Sequence, residues 1–277
     1  MVKITTLMDN HPLPNTRLSC EHGFSCFIEV GSLRMLFDTG KSEAFLRNSE
    51  TLHVDLSKLD DVIISHAHYD HGGGVLSLLK THSFQGLSMW TGRGFETPKY
   101  ADESDTLRYL GVDFDAKTIN HFGVMWHTVC DDTIMIHPGV WLVSGFSHLQ
   151  PLEKPNPRFV IDQGQGRMID DFKDEISLVI DSPKGLILIV GCSHPGILNM
   201  LDSVQARFSR PLYALIGGIH LYDASPERRE MVVHELIQRN IPKLGVSHCT
   251  GDEAAEELEK SCTGFFRNRA GTVTIID

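Results

Sequence analysis

A chain of 277 residues, 41% hydrophobic and 22% charged, has material for one large domain or two small ones around a buried core. Its formal charge of -11 repels phosphodiester backbones, and the densest basic pair, Arg228-Arg229, sits between Glu227 and Glu230, so nucleic acid is not an expected partner. No stretch approaches the roughly 20 apolar residues of a membrane span, the first six residues lack the apolar segment of a signal peptide, and the six cysteines form no C-x-x-C pair; the expectation is a cytoplasmic chain with free thiols and no membrane contact, with homo-oligomerisation left open.

Residues 3–8 read as an opening strand, and 25–30 and 33–38 as a hairpin turning at Gly31-Ser32. A short helix is expected at 42–48, an apolar strand at 59–65, and a helix at 74–80 with Val75, Leu78 and Leu79 on one face. Strands are expected at 87–90, 125–128 and 140–143. The stretch 91–120 reads as an irregular insertion carrying one helix at 102–110. A proline-punctuated loop at 151–157 marks the division of a single domain into pseudo-halves of about 1–150 and 151–277. The second half continues with strands at 176–180 and 186–190, a helix through Phe208, a strand at 213–216 and a helix at 226–239 opened by Ser225 and Pro226. It ends with a strand at 243–246, a helix at 252–260 and a strand at 272–276. Alternating strands and helices in both halves imply sheets covered by outer helices.

Fifteen histidines are unusual against 25 Lys and Arg, and four of them share one position. His66, His194, His220 and His248 each follow an apolar strand, the edge where layered α/β folds build sites. One such histidine alone is commonly an ordinary surface or capping residue. The run Ser65-His66-Ala67-His68-Tyr69-Asp70-His71-Gly72-Gly73-Gly74 changes that balance. His66 and His68, two apart, can point the same way and share one ion; Asp70 and His71 can turn toward a second. Imidazole with carboxylate suits zinc first, then iron or manganese. The glycines let neighbouring backbone approach closely.

This H-x-H-x-D-H pattern resembles the signature of the metallo-β-lactamase superfamily, and the likeness extends along nearly the whole chain. The resemblance implies an α/β fold, a four-layer αβ/βα sandwich of two mixed sheets covered by outer helices. It implies two divalent metal ions, with His66, His68 and His194 on the first and Asp70, His71 and His248 on the second, and Asp38 supporting the ligand loop. Glu21-His22-Gly23, Phe37-Asp38-Thr39-Gly40, Gly191-Cys192-Ser193-His194-Pro195-Gly196, Ile216-Gly217-Gly218-Ile219-His220-Leu221 and Ser247-His248-Cys249-Thr250-Gly251 resemble one branch. That branch includes an archaeal enzyme joining a dihydropterin to a ribofuranosyl-aminobenzene phosphate, beside chains known only as metal-dependent hydrolases.

Most dinuclear members of the superfamily carry a bridging aspartate after the strand that here ends in Gly217-Gly218-Ile219-His220. Asp223 lies beyond that strand end, so His220 is the polar group there: a further ligand, a substrate contact or a proton donor. Losing a bridging carboxylate leaves the ion pair one charge more positive, which predicts a small anionic, phosphorylated or ester-type substrate. The expected activity is metal-dependent hydrolysis, with Asp70 orienting water and His220 protonating the leaving oxygen. The alternatives are transfer of the pterin-joining kind and a non-catalytic ligand-binding or sensor protein. His22 is balanced between a turn and a pocket role. Cys192 and Cys249 could be thiol ligands but, beside better-placed histidines, read mostly as packing residues; Trp90, Trp126 and Trp141 could line a pocket but read as core or surface packing; Lys154, Arg158 and Arg167 could meet a phosphate but read as solvated charge near Asp170, Asp171, Asp174 and Glu175.

Overall fold

A computed structural model describes residues 1–277 except 105, 163 and 165. Two seven-stranded mixed sheets lie face to face. The first runs in the order Val273–Ile276, Val2–Met8, Ser25–Val30, Leu33–Phe37, Asp61–Ile63, Ser88–Gly92, Met125–Val129. The second runs Phe265–Arg267, Lys243–Val246, Leu212–Gly217, Gly185–Val190, Ser177–Ser182, Val140–Val143, Thr133–His137.

Strands covered on both faces read as unbroken apolar runs, and their period of two sorts the side chains between two cores. In Gly185–Val190, Ile187 and Ile189 face the other sheet, where they join Met35, Phe37, Ile63, Leu178 and Ile216. Leu186, Leu188 and Val190 face outward, under the helices Ile197–Arg207, Pro226–Arg239 and Asp252–Ser261. In the first sheet Leu36, Val62 and Met89 point outward against Phe45, Leu78 and Leu79 of the helices Ala44–Thr51 and Val75–Thr81. Helices, sheet, sheet and helices make the expected four layers. Ser225 caps Pro226–Arg239 by accepting from the Arg228 amide at 3.3 Å.

The chain changes sheet between Val129 and Thr133, ahead of the proline loop where the division was expected, and its last strand returns to the first sheet. The helix expected at 102–110 is absent. Lys99–Asp102 and Leu107–Tyr109 form a hairpin there, closed by the Glu103 amide donating to the Thr106 carbonyl at 2.9 Å. The reason is alternation. Lys99 and Ala101 point inward, Tyr100 and Asp102 outward, and Tyr100 meets Tyr109 across the strands with rings 5.6 Å apart. With Phe159–Asp162 and Arg167–Ile169 the hairpin builds a third, four-stranded sheet. The Leu110 carbonyl accepts from the Tyr69 amide at 2.8 Å, which ties this sheet to the histidine-rich loop. Among the described residues no helix is long and apolar enough to cross a membrane.

Candidate metal centre

The site forms where strands of both sheets end. Leu33–Phe37 delivers Asp38, a buried residue at φ 57°. Its carboxylate accepts from the Ser65 amide at 2.7 Å, the Ser65 hydroxyl at 2.8 Å and His71 Nδ1 at 2.6 Å. One carboxylate thus fixes both ends of the loop from 65 to 71 and leaves His71 Nε2 facing the site. Gly73 and Gly74 press on the Lys41, Tyr69 and Thr39 carbonyls, so a Cβ at either position would collide with backbone. The crowding that the sequence shows is therefore built on close backbone approach.

His66 Nε2 and His68 Nδ1 lie 3.1 Å apart, and the His194 ring is within 5 Å of both, at centroid distances of 4.8 and 4.9 Å. Burial, and the imidazoles crowded around them, push His66 and His194 well below the usual histidine range; burial does the same for His68. His248 is pushed down to about 4, again by burial. All four are neutral at pH 7, the ligating form. Burial alone would raise the Asp70 carboxyl, but contacts from His22 at 3.1 Å and His248 at 3.2 Å hold it well below the usual carboxylate range.

The backbone at His194 is tied down by Glu175, which accepts from the Ser193 and His194 amides at 2.8 and 3.2 Å and is itself pushed up to about 8 by burial and by Asp174. At His248 the amide donates to Asp9 at 2.7 Å, and Nδ1 lies 2.8 Å from Asn10 Oδ1. That contact leaves Nε2 free. The Nε2 atoms of His68, His194 and His248 are buried without a hydrogen-bond partner among the described residues; the approach of His248 to Asp70 is close but poorly aligned. Each orphaned polar atom costs about 1–3 kcal/mol unless something binds it. Three such atoms on one site, beside a carboxylate, fit divalent cations.

Three donor groups have all their atoms within 4.8 Å of one another: His66, Cys192 and His194; His71, Cys192 and His248; His22, Asp70 and His248. His66, His194, Asp70, His71 and His248 therefore converge, and His68 adjoins the first group through His66. His22, half exposed, belongs to the site through Asp70 and is not merely a turn residue. His220 lies outside all three groups. Its Nδ1 faces Asp223 Oδ1 at 3.3 Å, and its ring is 4.3 Å from that of His194. Phe172 stacks on His194 at 3.9 Å, and Phe159 covers His68, His194 and His220 at 5.1 to 5.8 Å.

Asp9, Asn10, Glu175 and Arg108 are site residues that sequence reasoning missed. Asp9 and Asn10 follow the first strand at the same sheet edge as the histidines, which was the available signal. Cys192, expected mostly to pack with a thiol-ligand role as the alternative, has its sulfur 3.1 Å from His71 Nε2. The mouth of the site, about 50 Å³, is lined by Tyr69, Arg108, Arg158, Phe159, His220 and Tyr222, among others. A neighbouring cavity of about 370 Å³ meets it along His22, Tyr222 and His248. The tryptophans lie elsewhere: Trp90 donates to Asp61, Trp126 to Thr91, and Trp141 packs on Phe208. Lys154 is exposed and Arg167 pairs with Asp102, so Arg158 alone of the three cations reaches the mouth.

Comparison with known proteins identifies the family and the fold. A sequence profile of the metallo-beta-lactamase superfamily matches residues 19–164. The chain is 31% identical, over 98% of its length and 96% of the relative's, to the 7,8-dihydropterin-6-methyl-4-(beta-D-ribofuranosyl)-aminobenzene-5'-phosphate synthase of Methanocaldococcus jannaschii. It superposes with a TM-score of 0.85 on Tm1679, a metal-dependent hydrolase of the beta-lactamase superfamily, at 30% identity over 100% of this chain and 99% of the other. A diphosphatase from the PhnP family, 11% identical, shares the fold at a TM-score of 0.56 over 100% and 98% of the two chains. With this fold, and with the histidine turns of both sheets meeting at one edge, the chain belongs to the metallo-β-lactamase superfamily.

Proposed function

We propose that the protein is a metal-dependent hydrolase acting on a small anionic ester at a centre of two divalent ions, zinc first among the candidates. His66, His68 and His194 would hold one ion, and Asp70, His71 and His248 the other. The observation that carries this reading is the set of buried, unpartnered Nε2 atoms on His68, His194 and His248, with the Asp70 carboxylate 3.2 Å from the last of them. When bound, such ions lower the pKa of water toward neutrality and polarise the oxygen of the electrophile.

The chain's own groups supply the rest. Asp70, acceptor-only when ionised, orients the attacking water. His220 is placed to give a proton to the leaving oxygen, and Asp223, held low by its contact with His220 against the opposing effect of burial, fixes that imidazole through Nδ1. Phe159 and Phe172 pack over the ligating rings and exclude bulk water. Arg108 and Arg158 supply the anion preference. Both line the mouth, and both contact the one carboxylate of Glu103, at 2.8 and 3.4 Å, so neither guanidinium has a carboxylate to itself there. Guanidinium groups take phosphate or carboxylate oxygens in pairs.

The test is turnover by the metal-loaded protein of an ester panel differing only in charge. Preference for anionic members, reduced in Arg108→Gln/Arg158→Gln, is expected; equal turnover of neutral and anionic members defeats the reading. A second reading, a transfer in which an amine or ring carbon of an aryl-amine acceptor displaces diphosphate in place of water, is favoured by the 31% identity to the synthase. Product formed only when an aryl-amine acceptor is added would select it.

A further inference from the structure

We infer that the Cys192 thiolate is a metal ligand, and that it bridges the two ions in the place of the absent bridging aspartate. The inference rests on the two-ion reading above and concerns which atom joins the two halves of the centre. Cys192 is the one side chain whose donor atom belongs both to the group with His66 and His194 and to the group with His71 and His248. Its sulfur is buried and lies 3.1 Å from His71 Nε2. Two imidazoles of these groups, His194 and His248, present buried Nε2 atoms with no hydrogen-bond partner among the described residues. A sulfur between four such rings is not packed as a small apolar group would be.

At the strand end before His220 the two glycines leave no room for a carboxylate side chain. A Cβ on Gly217 would meet the Val190 carbonyl, and one on Gly218 the Cys249 sulfur and the Gly191 carbonyl. The Cys249 sulfur lies behind that strand end, 3.5 Å from the Cys192 carbonyl, and is absent from all three donor groups. Cys192 is thus the remaining anionic donor between the histidines. On binding, the thiol gives its proton to solvent and the thiolate contributes one negative charge. That charge replaces the missing carboxylate's, so the preference for anions falls to Arg108 and Arg158 rather than to excess charge on the ions. A thiolate also favours zinc over manganese.

X-ray absorption at the zinc edge of the zinc-loaded full chain tests this. A sulfur neighbour at about 2.3 Å is expected beside nitrogen and oxygen at about 2.0–2.1 Å. Cys192→Ser should remove that sulfur and weaken retention of one ion by about tenfold or more, read by chelator competition. Cys249→Ser should keep it. A shell of nitrogen and oxygen alone in the wild-type protein overturns the inference and leaves the two-ion reading standing. Sulfur that persists in Cys192→Ser also overturns it. Should Cys192→Ser not fold, the wild-type and Cys249→Ser spectra decide. A protein that takes up no zinc, iron or manganese defeats the two-ion reading itself.

Discussion

Asp38 is the point at which support for the proposed centre can be removed without touching a proposed ligand. Asp38→Ala deletes three hydrogen bonds of 2.6 to 2.8 Å, orphans the buried Ser65 amide and leaves His71 Nδ1 only a long contact of 3.4 Å to the Ser65 hydroxyl. The Ser65 hydroxyl keeps a second contact, 2.9 Å from His66 Nδ1, and drops out of the count. At about 1–3 kcal/mol for the orphaned amide and less for the weakened Nδ1 contact, offset in part by no longer burying the carboxylate, the ion-free variant should lose about 1–3 kcal/mol. Its affinity for the ions should fall about 10–100-fold, because His71 is no longer held in the tautomer that frees Nε2. Asp38→Asn separates the two effects. The amide oxygen still accepts from Ser65, but the amide nitrogen opposes a protonated Nδ1 and drives the His71 proton to Nε2. That variant should keep most of the stability and still lose the affinity. Urea unfolding of the ion-free proteins and chelator competition on the loaded ones provide the measurements. Full ion affinity in Asp38→Asn would refute the reasoning.

His220→Gln should retain both ions and lower turnover of substrates with poor leaving groups by about 10²–10⁴-fold; loss of an ion would instead make His220 a ligand. Ions at about a thousand times their dissociation constant add about 4 kcal/mol of stability, so chelation should lower Tm by on the order of 10 °C. An unchanged Tm would show that the orphaned nitrogens are not occupied. Glu153 has no role in the centre but an expected pH signature. It accepts from the Leu198 and Asn199 amides at 2.8 and 3.1 Å, and burial pushes it from 4.5 to about 6. Between those values the folded chain binds more protons than the unfolded one, so stability falls as pH rises from about 4.5 to 6. Glu153→Gln should therefore be more stable than the parent above about pH 6, by up to about 2 kcal/mol, with the gain vanishing near pH 4.5. A constant difference in urea midpoint across that range would count against it.

The convergence of the histidine turns was legible because its signal lies in local spacing: His66, His68, Asp70 and His71 sit within six positions, and His194 and His248 repeat one strand-end pattern. The fold was legible where strands are buried on both faces, since Leu186 to Val190 or Leu244 to Val246 read as uninterrupted apolar runs. The third sheet was not. Its strands are three or four residues long, and the inward position at Lys99 is a charge neutralised by Asp170 and Asp174, partners 71 and 75 residues away. Arg108 was hidden for the same reason. Asp9, Asn10 and Glu175 act by orienting backbone and rings at His194 and His248, and that role depends on contacts made only when the sheets close. Cys192 shows the limit most clearly. Beside a buried strand a cysteine is commonly a small packing residue, and only the positions of four histidine rings around its sulfur suggest otherwise.

The most direct measurement is anomalous diffraction from crystals of the metal-loaded protein, collected on both sides of the metal's absorption edge. Two peaks are predicted, one within coordination distance of His66, His68 and His194 and one within coordination distance of Asp70, His71 and His248. Peaks elsewhere on the chain, or none at a site shown by chemical analysis to be loaded, would contradict the account.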